Sequence, residues 1–137
     1  MIPFVNFMMN FWRRLGRDVM GYDSRLYVVE ESKFLIPSDD GKVWAEVIGM
    51  VELCVCYEIK DVFDEDANGY IYSDDGNTKI EIDCYGEPLK VADLKSVIIK
   101  LKKIVRETDY RRAKIALAFL ESVYEVMPEC KVYHYGH

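Results

Sequence analysis

Hydrophobic and polar positions along the chain follow two periods, one suited to strands and one to helices. RLYVVE at 25–30 has the β-branched and aromatic content of a first strand. Ser38-Asp39-Asp40-Gly41 then reads as a turn. Between Val43 and Tyr57 the two periods compete. Trp44, Val47, Ile48 and Val51 fit a helical stripe, whereas Val51, Leu53 and Val55, interleaved with Cys54 and Cys56, fit a buried strand. Gly49 counts against a continuous helix, so the segment is read as strand. Short strands are predicted at Tyr70–Ser73 and Thr78–Cys84. Between them, Asp74-Asp75-Gly76-Asn77 has the composition of a turn, because Gly and Asn tolerate positive φ. Tyr85-Gly86-Glu87-Pro88 closes this region.

Two amphipathic segments follow, predicted as helices over 91–106 and 110–127. In the first, Leu94, Val97, Ile98, Leu101, Ile104 and Val105 repeat at i, i+3, i+4 and i+7. Asp93 stands at its start and Lys102, Lys103 and Arg106 near its end, the polarity that a helix dipole favours. In the second, Ala113, Ala116, Leu117, Leu120, Val123 and Met127 form the stripe. Ile115, Ala118, Phe119 and Val126 add another apolar face, which predicts the more buried helix of the two. Pro128 stops it, and Lys131 to Tyr135 reads as a last short strand. Strands first and helices later predict an α+β domain. It should hold a mostly antiparallel sheet of four to five strands, with both helices on one face. At 137 residues the chain has the size of one domain.

Residues 1–19 stand apart from this domain, which is expected to span 20–137. MIPFVNFMMNFW is followed by Arg13, Arg14 and Arg17, whereas a secretory signal carries its charges before the apolar run. The run is also shorter than the ~20 residues that span a bilayer. As a helix it would place Phe4, Phe7, Met8, Phe11, Trp12 and Leu15 on one face, suited to a membrane interface or a partner. The other reading is an extension outside a domain that begins at Met20.

Charge sharpens the picture. The net charge is −6, unevenly spread. Residues 61–76 hold Asp61, Asp64, Glu65, Asp66, Asp74 and Asp75 with no Lys or Arg, while 95–114 hold eight basic residues against two acidic ones. The basic stretch reads as the solvated face of helices, so nucleic-acid binding is not expected. The acidic stretch could instead occupy a basic groove on another protein. Tyr57, Tyr70, Tyr72, Tyr85, Tyr133 and Tyr135 lie near the sheet, either as an exposed contact surface or packed against it. The four cysteines read as reduced core thiols, which with the absence of a signal points to the cytoplasm.

The sharpest local motif is Asp64-Glu65-Asp66-Ala67-Asn68-Gly69-Tyr70-Ile71, which resembles the calcium loop of EF-hand proteins, D-x-[DN]-x-[DN]-G. Calcium takes six to eight oxygens, so Asp64, Asp66, Asn68, the Tyr70 carbonyl and Asp75 form the candidate ligand set. Gly69 would permit the sharp turn. The match departs from the pattern at its twelfth position, where Asp75 replaces a bidentate Glu, and in the β-like segment that follows. The alternative is an acidic loop joining two strands.

Catalytic motifs are absent. No G-x-S-x-G elbow, HExxH or glycine-rich phosphate loop occurs, and the only histidines are His134 and His137. The cysteines do not form paired C-x₂-C knuckles for zinc. No cofactor other than calcium is expected, and the chain is read as a non-enzyme.

The strings GYDSRLYVVE, YIYSDDGNTKIEIDCYGEPL and VYHYGH, with the overall size, resemble small accessory proteins of bacteriophages and prophages. That resemblance implies an acidic, non-enzymatic protein that binds a host or defence component, as anti-CRISPR and other anti-defence inhibitors do. The expected surface comprises Asp61, Asp64, Glu65, Asp66, Tyr70, Tyr72, Asp74 and Asp75.

Overall fold

The computed structural model describes residues 24–32, 41–54, 56–73 and 75–136. The N-terminal extension, positions 38–40 of the first turn, Asp74 and His137 lie outside the described residues. The fold is α+β. β1 (Ser24–Glu31) and β2 (Val43–Cys54) are followed by a 3-10 turn at Tyr57–Val62 and the short strands β3 (Glu65–Asp66), β4 (Gly69–Tyr72) and β5 (Lys79–Ile80). β6 (Lys90–Asp93) runs directly into α1 (Leu94–Glu107), then come α2 (Arg111–Val126) and β7 (Lys131–Tyr135).

β1 is the centre of the sheet. It pairs antiparallel with β2 on one side and β7 on the other. Strand alternation sends its side chains into two separate cores. Leu26 and Val28 face α1 and α2, where they join Leu53, Val97, Leu101, Leu120 and Val132, all essentially inaccessible. Tyr27 and Val29 face the other way and pack with Ala45, Ala67, Ile71, Leu89 and Tyr133. Each fully buried Leu or Val contributes about 1.5–3 kcal/mol, so both faces of the sheet are stabilised by apolar burial. The helices therefore cover one face, and the curled sheet encloses the other core by itself.

The curling has one local cause. The strand order is β3-β6-β7-β1-β2-β4-β5, so β3 and β4 lie at opposite sides of the sheet while only Ala67 and Asn68 separate them in sequence. The Ala67 amide donates to the Leu89 carbonyl at 2.7 Å, and the Val43 amide donates to the Asn68 carbonyl at 3.1 Å. Residues 65–72 thus form a seam that joins one edge of the sheet to the other. Because the seam enters β4 alongside β2, that pair is parallel.

This arrangement corrects three expectations. The sheet has seven strands, not four to five, because β3 and β6 are too short for a period to reveal; it is mostly antiparallel, as expected, but mixed, since β2 and β4 pair in parallel. The first helix begins at Leu94, since 90–93 pair with β7 before the chain turns helical. The second helix is not the more buried one. Ala113, Ala116, Leu120 and Val123 are buried, but Ile115 is 62% and Val126 78% exposed. Val43–Cys54 is strand, as its alternation predicts, and it ends at Cys54 with φ 59.

Candidate functional site

The acidic motif lies on the seam. Its alternation separates side chains by direction: Ala67, Gly69 and Ile71 turn inward and are buried, while Asp64, Asp66 and Asn68 are exposed. In place of a calcium loop the chain forms two short strands, Glu65–Asp66 and Gly69–Tyr72, with a bend at Asn68 between them, and Gly69 serves a different need. A side chain at 69 would collide with the Tyr133 hydroxyl and approach the Val43 carbonyl to 2.8 Å. Glycine is required because the tyrosine occupies that space.

Asp64, Asp66 and Asn68 border a cleft of about 330 Å³ together with Glu31, Asp93 and Lys131. Several of these groups are already engaged. Lys90 donates to Asp66 Oδ1 at 2.5 Å, and this carboxylate holds the Lys90 ammonium above its ordinary value. Lys131 donates to Asp93 at 3.3 Å. Glu31 Oε2 accepts the Tyr133 hydroxyl at 2.6 Å. Burial, and then this carboxylate, push the Tyr133 phenol up. Among the described residues no three Asp, Glu, His or Cys side chains are grouped as a metal ion requires.

The remaining candidates are dispersed. Asp75 is not part of the cleft. Its Oδ1 accepts the Ser73 hydroxyl and, at 3.0 Å, the Asn77 amide, closing the β4–β5 turn. Those donors hold its carboxyl below the usual range. Asp61 accepts Lys100 Nζ at 3.2 Å from the 3-10 turn. Tyr70 is buried, edge-on to Tyr72 with ring centroids 5.6 Å apart, and Lys79 Nζ lies 4.3 Å from its ring centroid. Tyr72 is 42% exposed and Tyr85 43%. Of the other sheet tyrosines, Tyr133 is buried and Tyr135 half-buried. The tyrosine surface is therefore narrower than the residue count alone implies.

A pairing that sequence reasoning missed lies beneath the second cleft, of about 220 Å³, which is lined by Lys60, Phe63, Asp83, Lys90 and His134. His134 Nε2 shares a 2.6 Å hydrogen bond with Ser24 Oγ, and Phe63 stacks on the imidazole at 4.8 Å. The β1–β7 register, which places Leu26 opposite His134, brings the partners together from 110 residues apart. No sequence motif could announce it. Ser24 has no exposed surface, so its hydroxyl is not presented to a substrate. Asp83 accepts the amides of Tyr85 and Glu87 at 2.8 and 3.0 Å, an organiser of its own turn.

The cysteines behave as core thiols with one exception. Cys54, Cys56 and Cys130 are buried and Cys84 is exposed. Burial, with Glu58 nearby, pushes the Cys56 thiol up to about 11. Among the described residues no helix is long and apolar enough to cross a membrane. No protein-family model matches the chain, and no characterised protein or solved structure resembles it at a significant level.

Proposed function

We propose that the chain is a non-catalytic protein-binding domain, and that its acidic seam occupies a positively charged surface on a host or defence protein. Phage accessory inhibitors are the class this reading suggests. The observation that carries it is the presentation of Asp64, Glu65 and Asp66. All three are exposed, and the segment that bears them is hydrogen-bonded through Ala67 to Leu89, just before β6, and through Asn68 to Val43 of β2. Carboxylates on a fixed backbone meet a basic partner with little ordering cost, and they steer its approach. Tyr72 and Tyr85 add exposed aromatic area on the neighbouring turns.

The test is capture from bacterial lysate with the full chain and with D64N/E65Q/D66N. A partner held by the former, released by the variant and weakened by salt supports the reading. Capture that ignores both changes, or repeated capture of nothing specific, overturns it.

A second reading is calcium binding at the cleft, favoured by the shared lining of Asp64, Asp66 and Asn68 beside Glu31 and Asp93. It does not use Asp75, which is committed to its own turn. A melting temperature unmoved by millimolar calcium would remove it, because a ligand bound only by the folded state must raise that temperature.

A further inference from the structure

The sheet face beneath the helices continues past them. Leu26 and Val28 of β1 pack under the helical layer, and the same alternation carries Glu30 to that face, where it is exposed. Glu30 stands directly opposite Glu46 of β2. Between Glu46 and Trp44, Ala45 is buried in the second core, so Glu46 and Trp44 both share the helix side with Glu30. Trp44 is in turn paired with Tyr70, and Tyr72 with Lys79, which extends this face across β4 and β5. The side-chain contacts agree with that register. The Tyr70 and Tyr72 rings meet edge to face, and Lys79 Nζ lies 4.3 Å from the Tyr70 ring centroid. One surface therefore carries, in spatial order, two carboxylates, an indole, two phenols and an ammonium.

The two ends of this surface differ. At one end an aromatic face and a carboxylate hold a cation together: the Lys79 ammonium lies over Tyr70 and 2.9 Å from Glu81 Oε1. At the other end the same two chemistries stand side by side. Trp44 is 39% exposed, and Glu46 follows it two residues on, about 7 Å along the strand. Glu30 and Glu46 oppose each other across the strands, a like-charge pair that costs a sheet stability. Among the described residues no lysine or arginine forms an ion pair with either. We propose that Trp44, Glu46 and Glu30 form a recognition site for an arginine side chain of a partner protein. Charge complementarity selects a cation, and the indole beside the carboxylates selects its shape. A planar guanidinium stacks on an aromatic face while its donors fork to carboxylates, whereas a lysine ammonium is a point charge. Tryptophan and arginine are also the residues that most often anchor protein interfaces. The site excludes Asp64, Glu65 and Asp66, so it stands or falls independently of the seam.

Fluorescence titration of the full chain tests this. In W12F, Trp44 is the sole tryptophan and its emission reports the site. The probes are acetyl-Gly-Arg-Gly-Arg-Gly-amide and the same peptide with citrulline, planar but uncharged, in place of both arginines. The expected result is a saturable change in Trp44 emission, with at least tenfold preference for the arginine peptide. Affinity should fall at least fivefold in W12F/E30Q/E46Q and stay unchanged in W12F/D64N/E65Q/D66N. Both glutamates are exposed, so E30Q/E46Q should melt no lower than the parent, which separates lost recognition from lost folding. Equal responses to the two peptides, or no saturable response, overturn the proposal. So does a loss in D64N/E65Q/D66N that E30Q/E46Q does not share, because the peptide then sits on the seam. Tetramethylammonium that binds as tightly as the arginine peptide overturns it in favour of a quaternary ammonium ligand.

Discussion

The hydroxyl of Tyr133 on β7 donates to Glu31 at the end of β1 and stands directly over Gly69 of the seam. One side chain thus ties the middle of the sheet to the strand that closes it.

Gly69→Ala should destabilise the fold by about 1–3 kcal/mol, the usual cost of forcing a methyl group into filled space. Urea denaturation reads the loss. Tyr133→Phe in the same chain should recover part of it, because the hydroxyl is one obstacle and the Val43 carbonyl is the other. A double-mutant cycle with no coupling would show that the two residues do not meet.

The same phenol predicts an alkaline limb. Its folded-state value lies above the ordinary 10.0, so the folded state holds the proton more tightly than the unfolded chain. The associated stability is present below pH 10 and is lost as pH rises beyond it. Melting temperature followed from pH 8 to 11 should therefore fall less steeply in Tyr133→Phe than in the parent chain.

Thiol labelling should find one reactive cysteine of the four in the folded protein. Cys84 is exposed, whereas Cys56 is buried with its thiol raised to about 11, which leaves almost no thiolate at neutral pH. Cys84→Ser should abolish native labelling by an aromatic disulfide reagent, and denaturant should release the other three.

Leu101→Ala should cost about 2–5 kcal/mol and Ile99→Ala less than about 0.5, as read by chemical denaturation. Leu101 is fully buried beneath α1 and Ile99 is 59% exposed on its outer side. Similar costs for both would mean that α1 docks through a different face.

The helices and the long strands were legible in the sequence because their apolar residues are large and recur at a full period. Leu94, Val97, Ile98, Leu101 and Ile104 are buried as their spacing predicts. The seam was legible only at its end, where the expected strand Tyr70–Ser73 is β4 (Gly69–Tyr72); its first half was hidden, for a reason visible at Ala67 and Gly69. Both point into the second core but are small, since Tyr133 from far along the chain supplies the bulk. A strand whose inward residues are Ala and Gly carries no hydrophobic signal, and its outward Asp64, Asp66 and Asn68 then read as a metal loop. β6 was hidden because Asp93 belongs both to the strand and to the start of α1. The Ser24–His134 pair depends on tertiary register alone.

The seam also bears on the order in which the sheet can assemble. β1 and β2 are neighbours in sequence and can meet early, whereas β7 reaches β1 only after both helices have been laid down. Residues 65–72 can bridge the sheet only once β2 stands on one side and β6, held by β7, on the other. Closure at Ala67 and Asn68 is thus expected late in folding, as a latch whose opening should uncover the core around Tyr133 before the helical layer; exchange of the Ala67 amide no faster than that of Leu26 would refute this.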